Sequence, residues 1–297
     1  MQNQRQYVKI NCKGKYVGIG GIALGDEMTD IEKWLENYCA LMLETFGGRV
    51  EFIGIQGSRG RGEAREDSDI DIVLILDNVS ASDLEKYDGA ISALPERGLI
   101  CGFVSGMGEL ENWDKADLFQ FCYDTRDVFG SLEKLRNSIS RKDAARAAHT
   151  GACNIYHSLV HNMVHEKSSE ILQGLFKHAG FVLRAEYFRE EGVYLKTREE
   201  LINSLDGPEK KIAELGEAER FAKEAERFAR EAGRFAREAE KAGKIGGESA
   251  EVKDRADFHR LSELLMEWAK GLIERYSQRP ASDSQRSAAG LAAEGEF

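Results

Sequence analysis

No two cysteines in this chain are spaced as a CxxC pair. The five that exist, Cys12, Cys39, Cys101, Cys122 and Cys153, are odd in number and scattered. That excludes a disulfide frame or a zinc module and points to reduced thiols in a cytoplasm. Apolar runs are short. None approaches membrane-spanning length, and the opening stretch "MQNQRQYVKINCKGKYVG" lacks the apolar core of a signal segment, so neither a membrane nor an export route is expected. Positive charge is also in deficit: 41 Lys and Arg face 52 Asp and Glu, a formal net charge of −11. This argues against general affinity for a nucleic acid backbone, which rests on phosphate neutralisation. What remains is an ordinary soluble composition, 42% hydrophobic over 297 residues, for which two domains are the default.

The first segment with helical spacing is "TDIEKWLENYCALMLETFGG", where Thr29 and Glu32 read as a capping box and Gly47–Gly48 as the stop. Strands are expected over 49–57, 69–76, 98–106 and, as the fourth, over 116–125 ("ADLFQFCYDT"). With helical turns between them they make an α/β domain over 1–135 with a small mixed sheet. From Arg141 the composition turns helical, and an all-α bundle is expected over 141–278. It includes "TREELINSL", opened by a second capping box at Thr197 and Glu200. Inside it, 207–250 carries a seven-residue repeat with Phe221, Phe228 and Phe235 in step. Two readings apply to it: a short coiled-coil arm for a homodimer or a helical protein partner, or a local duplication that lengthens one helix of a hairpin. The last segment, 279–297, is of low complexity and expected to be disordered.

The segment with the most chemistry is "GSRGRGEAREDSDIDIVLIL", Gly57 to Leu76. Residues two apart on a strand share a face. Asp69 and Asp71 therefore emerge side by side, while Ile70 and Ile72 enter the core. Carboxylates about 6–7 Å apart between Cα atoms can share a hard cation or hold two. Mg²⁺ prefers such oxygens and completes its shell with water and substrate phosphates. Upstream, Gly57 lets backbone amides approach a ligand, and Ser58 adds a hydroxyl and an NH. Arg59, Arg61 and Arg65 offer guanidinium contacts to phosphate. Anion donors followed by cation ligands are the parts that hold a metal-bound nucleoside triphosphate.

In this spelling, "IGIQGS", ten residues and "DIDI", the chain resembles the nucleotidyltransferase superfamily that includes DNA polymerase β, above all its bacterial minimal and aminoglycoside-type members. The resemblance covers 49–77 firmly and extends to about 135. It implies an α/β nucleotidyltransferase domain followed by a helical domain. It also implies Mg²⁺-dependent transfer of a nucleoside monophosphate, AMP from ATP or its equivalent from another nucleoside triphosphate, onto an acceptor hydroxyl, with release of pyrophosphate. An aminoglycoside-like small molecule is one such acceptor and a protein is another. Gly57 and Ser58 would hold the β- and γ-phosphates, with Asp69 and Asp71 on the metals. Many members add a third carboxylate on a later strand. Here the implied candidate is Asp117, with Asp124 as its rival. The competing reading of the whole chain is a non-catalytic nucleotide-binding module that acts with a helical partner.

A second pattern is His149, Cys153, His157, His161 and His165, repeating every four residues. Imidazoles at that spacing can share zinc, but no further ligand group is evident, and a polar ridge of the helix is the plainer reading.

Overall fold

The structure is a computed structural model that describes residues 30–217, 220–228 and 251–277. These fall into two compact units, one drawn from Met1–Trp113 and Asp124–Lys134, the other from Asp114–Tyr123 and Leu135–Phe297.

In the first unit, α1 spans Ile31–Phe46 and buries Trp34, Leu35, Tyr38, Met42 and Phe46, one stripe of a helix. Its N-cap is Asp30, which accepts the Lys33 amide at 3.3 Å. The cap expected at Thr29 lies outside the described residues. Gly47 ends the helix with φ 58°, a left-handed value that suits glycine. Four strands follow: β1 (Val50–Ile55), β2 (Ile70–Leu76), β3 (Ile100–Gly106) and β4 (Arg126–Phe129). They form a mixed sheet in the order β3-β2-β1-β4, with β1 antiparallel to both neighbours and β2 parallel to β3. The parallel pair needs a crossover, and α3 (Ala81–Ile91) supplies its helix, opened by a Ser80–Asp83 capping box. One-turn helices α2 (Gly57–Arg61) and α4 (Met107–Glu111) follow β1 and β3.

The sheet is polarised by period-two alternation. Ile53, Ile55, Ile70, Ile72, Leu74 and Leu76 pack with Trp34, Tyr38, Met42 and Phe46 of α1 and with Tyr87 and Ile91 of α3 in one buried core. Burial of each such side chain contributes about 1.5–3 kcal/mol. The opposite face carries Asp71 and Val73. Through the strand register it also carries Cys101 and Phe103 of β3, Gly54 of β1 and Asp127 of β4.

The expected fourth strand over 116–125 is instead a helix, α5 (Lys115–Asp124). Asp114 accepts the Ala116 amide at 2.8 Å and so starts it. Ala116, Leu118, Phe119 and Cys122 are the buried positions; the three-residue spacing of Ala116, Phe119 and Cys122 overrides the Leu-Phe-x-Phe alternation that suggested a strand. The strand that completes the sheet is β4, immediately after.

The second unit is helical: α5 as far as Tyr123, then α6 (Glu133–Asn137) from Leu135 on, α7 (Arg141–His161), α8 (Ser169–Glu191), α9 (Arg198–Asn203), α10 (Gly207–Leu215), α11 (residues 220–228) and α12 (Glu251–Ser277). The capping box read at Thr197 and Glu200 opens α9. A π-turn, Asn162–Glu166, closes α7, and the buried Asn162 amide ties it to both the N–H and the C=O of Ser168 at 3.0 and 2.9 Å. Gly151 lets α7 and α8 approach closely: a β-carbon there would stand 2.6 Å from Val182 Cγ2. Of the heptad phenylalanines, Phe221 is buried edge-on against Phe176, ring centroids 5.8 Å apart. That places Phe221 inside this unit. Phe235 and the rest of 229–250 lie outside the described residues, as do 1–29 and the tail at 279–297. Among the described residues no helix is long and apolar enough to cross a membrane.

Candidate active site

The end of β1 delivers Gln56 and Gly57 to the edge of the sheet beside the start of β2. The Gln56 amide donates to the Asp71 carbonyl at 2.8 Å, so the turn is hydrogen-bonded to the acid strand itself. Gly57 has φ +67°, and a β-carbon built there would overlap Asp71 Oδ2. Only glycine satisfies both demands. The Asp71 carboxylate therefore lies directly against the Gly57 backbone. From Gly57 the chain enters α2, whose first-turn amides have no intrahelical acceptor. A β-carbon at Gly60 would stand 2.6 Å from the Ile55 carbonyl oxygen, so the absence of a side chain lets the turn fold flat onto β1.

Asp71 is half-buried and Asp69, just ahead of β2, is exposed. Among the described residues Asp69 makes no ion pair. Their carboxylate oxygens are the hard donors that Mg²⁺ takes. Among the described residues no group of three or more His, Cys, Asp or Glu is placed to hold a metal ion. A cation here would thus complete its shell with water and phosphate oxygens, the ordinary situation for Mg²⁺. The residues present fit that ion.

The three arginines separate in the structure. Arg59 is buried, 4% exposed, and donates to the carbonyls of Ser68 and Glu66. Arg61 is drawn between two carboxylates: Nη1 bonds both oxygens of Asp124 at 2.9 and 3.0 Å, and Nε bonds Glu63 at 3.0 Å. Burial works against its charge, but Asp124 and Glu63 outweigh it and raise the pKa above the ordinary arginine value. Arg65 is exposed, and its amide donates to Ser68 Oγ at 2.8 Å. Ser58 is half-buried in α2, and its carbonyl accepts the Glu63 amide at 2.8 Å.

Asp117, the first candidate for a third carboxylate, stands in the first turn of α5 in the second unit, not on a strand. A carboxylate there favours the helix N-terminus. Asp124 belongs to the sheet unit and is tied through Arg61 to α2. The position beside Asp71 on β3 is Cys101, and along the acid face β3 offers Cys101, Phe103 and Ser105, no carboxylate. Asp127 shares the face but sits two strands away, across Gly54, about 10 Å in the hydrogen-bonding direction alone.

Sequence reasoning missed Gln56, whose Nε2 donates to Thr125 Oγ1 at 2.6 Å, and Glu63 as a partner of Arg61. Thr125 lies sixty-nine residues from the Gln56 it meets, and nothing local announces it. The histidine ridge resolves into ring contacts. His149 stacks on Tyr276, ring centroids 5.1 Å apart, and the rings of His161 and His165 stand 4.8 Å apart.

Residues 40–119 match the family model described as the nucleotidyltransferase domain. The span that matches holds β1, the glycine turn, both acids and β3, and makes up about a quarter of the chain. No curated protein matches the chain. Among solved structures it is similar to the spectinomycin adenyltransferase AAD(9) from Enterococcus faecialis, solved with ATP and spectinomycin. That alignment covers 79% of this chain and 98% of that one, at 10% identity and a TM-score of 0.45.

Proposed function

We propose that this protein transfers a nucleoside monophosphate, AMP from ATP, to an acceptor hydroxyl with Mg²⁺ and releases pyrophosphate. The observation that carries the reading is the Asp71 carboxylate set against the Gly57 turn. Anion donors and a cation ligand thereby meet at one place, although they come from different strands. Asp69 and Asp71 hold the metal. The amides at Gly57 and Ser58, with the Ser58 hydroxyl, receive the β- and γ-phosphate oxygens. When bound, Mg²⁺ neutralises the charge that develops on the transferred phosphoryl group and on the leaving pyrophosphate. The protein's own part is positioning and electrostatics: the rigid turn presents the triphosphate, and Asp69 and Asp71 keep the cation on its path.

Of the two candidates for the third carboxylate, Asp124 is better supported than Asp117, because it shares a unit with the acids and is bound to the arginine of the turn. An acidic protein of net charge −11 suits a polycationic, hydroxyl-bearing acceptor of the aminoglycoside kind. A protein hydroxyl is the alternative acceptor. One observation favours a second reading, a nucleotide-binding module without turnover: β3 places Cys101, not an acid, beside Asp71.

The deciding experiment measures pyrophosphate release from ATP and Mg²⁺ over a panel of hydroxylated acceptors. Asp71→Asn is expected to lower release at least about 10²-fold while leaving the melting temperature and circular dichroism unchanged. Full turnover in that variant would sink the assignment. ATP binding with no release on any acceptor would favour the module.

A further inference from the structure

Arg59 reads from the sequence as a phosphate ligand, yet its guanidinium is turned away from solvent into the loop. Nε and Nη2 both donate to the Ser68 carbonyl, at 3.1 and 2.9 Å, and Nη2 also reaches the Glu66 carbonyl at 3.5 Å. The Ser68 carbonyl belongs to the peptide that enters Asp69. The other side of that loop is closed by Ser68 itself, whose amide donates to the Arg65 carbonyl at 3.1 Å and whose hydroxyl accepts the Arg65 amide at 2.8 Å. A continuous set of bonds thus runs from α2, through the Arg59 fork, to the peptide plane that aims Asp69. A buried charge satisfied by carbonyl dipoles is costly to maintain. A planar fork with two donors on one oxygen also fixes orientation in a way that an ammonium does not.

We infer that Arg59 is a positioning residue: it joins the glycine turn to the acid pair and sets where Asp69 presents its carboxylate to a divalent cation. This rests on the reading of Asp69 and Asp71 as metal ligands. The role is opposite to phosphate binding, because its loss weakens the metal and spares the nucleotide.

The test titrates Mn²⁺ into the full-length protein and follows the loss of the free aquo-ion signal by electron paramagnetic resonance. ATP affinity is measured separately in EDTA. Arg59→Lys and Arg59→Ala are expected to weaken Mn²⁺ binding about tenfold and to leave metal-free ATP affinity within about twofold, the size of effect seen when a group that orients a ligand is lost. Added guanidinium, well below denaturing concentration, is expected to restore part of the loss in Arg59→Ala. If that variant does not fold, Arg59→Lys, which keeps the charge and most of the stem, decides the matter. Unchanged Mn²⁺ affinity in a folded variant overturns the inference, and so does lost ATP affinity with metal binding intact. Wild-type protein that binds no Mn²⁺ takes down the acid-pair reading and this inference with it.

Discussion

One device appears twice in this molecule, once in each unit. Arg59 in the sheet unit donates two bonds to the Ser68 carbonyl and ties down the loop that ends in Asp69. Arg184 on α8 of the helical unit donates to the Leu195 carbonyl at 2.8 Å, to Gly180 at 3.2 Å and to Lys196 at 3.4 Å, and ties down the segment between α8 and α9. Both guanidiniums are buried, and in both the acceptors are backbone oxygens. What differs is the residue each clamp delivers. Behind Arg184 come Leu195, buried in the core, and Thr197, the cap of α9. Behind Arg59 comes an exposed carboxylate, Asp69. The clamp itself is generic, a way to satisfy carbonyls of a loop that cannot bond to its own chain. Whether it serves stability or chemistry depends on whether the held loop ends in an apolar anchor or an open acid.

The largest break in this comparison comes from Gly57→Ala. The substitution forces a left-handed backbone onto alanine, which costs roughly 1–3 kcal/mol, and it pushes the Asp71 carboxylate aside. Mn²⁺ binding and pyrophosphate release are expected to be lost together, and urea unfolding should show the smaller drop in stability alongside. A variant with wild-type Mn²⁺ affinity would mean that the turn does not set the position of Asp71.

Arg184→Ala sharpens the other side. Orphaned buried carbonyls cost about 1–3 kcal/mol each, so urea unfolding is expected to shift by roughly 2–4 kcal/mol. Mn²⁺ affinity should stay at the wild-type value. If metal binding falls as it does in the Arg59 variants, the two clamps are not functionally distinct.

The smallest effect concerns an ion pair spent wholly on structure. Arg49 donates to Asp83 at 2.7 and 3.2 Å, and Ser80 of the α3 capping box bonds the same carboxylate through its hydroxyl and amide. The Arg49 guanidinium and then the Ser80 bonds hold the Asp83 carboxyl well below the usual carboxylate range. A depressed carboxyl contributes stability that is complete above the ordinary carboxylate pKa and fades as pH falls below it. The melting temperature of Asp83→Asn should therefore lie below wild type near neutral pH, and the gap should close as the solution is made acidic. A gap that is constant with pH would show that the ion pair adds nothing beyond shape.

Much of the sheet unit was legible in order. β1, β2 and β3 fall where 49–57, 69–76 and 98–106 were expected, because apolar alternation and the glycines that interrupt it are local signals. The capping box at Thr197 was legible for the same reason: both partners lie within four residues. The failures share a cause as well. Segment 116–125 reads as strand or helix over so short a span, and the Asp114 cap with the burial of Ala116, Phe119 and Cys122 decided for helix. Asp117 then left the sheet, while Asp124 met the arginine of the glycine turn, sixty-three positions earlier.

By itself the sequence determined that Asp71 would stand on the face of β2 away from the apolar core and that a glycine turn would precede it. Both follow from covalent geometry, in which side chains alternate every residue and a missing β-carbon opens left-handed backbone. Tertiary structure alone decided which arginine would turn inward to a carbonyl and which would meet a carboxylate. It also decided that Asp71 would rest against Gly57, and that β3 would bring a cysteine beside it. A guanidinium on a flexible stem goes wherever burial leaves oxygens unsatisfied, and those oxygens are placed by strands and loops far along the chain.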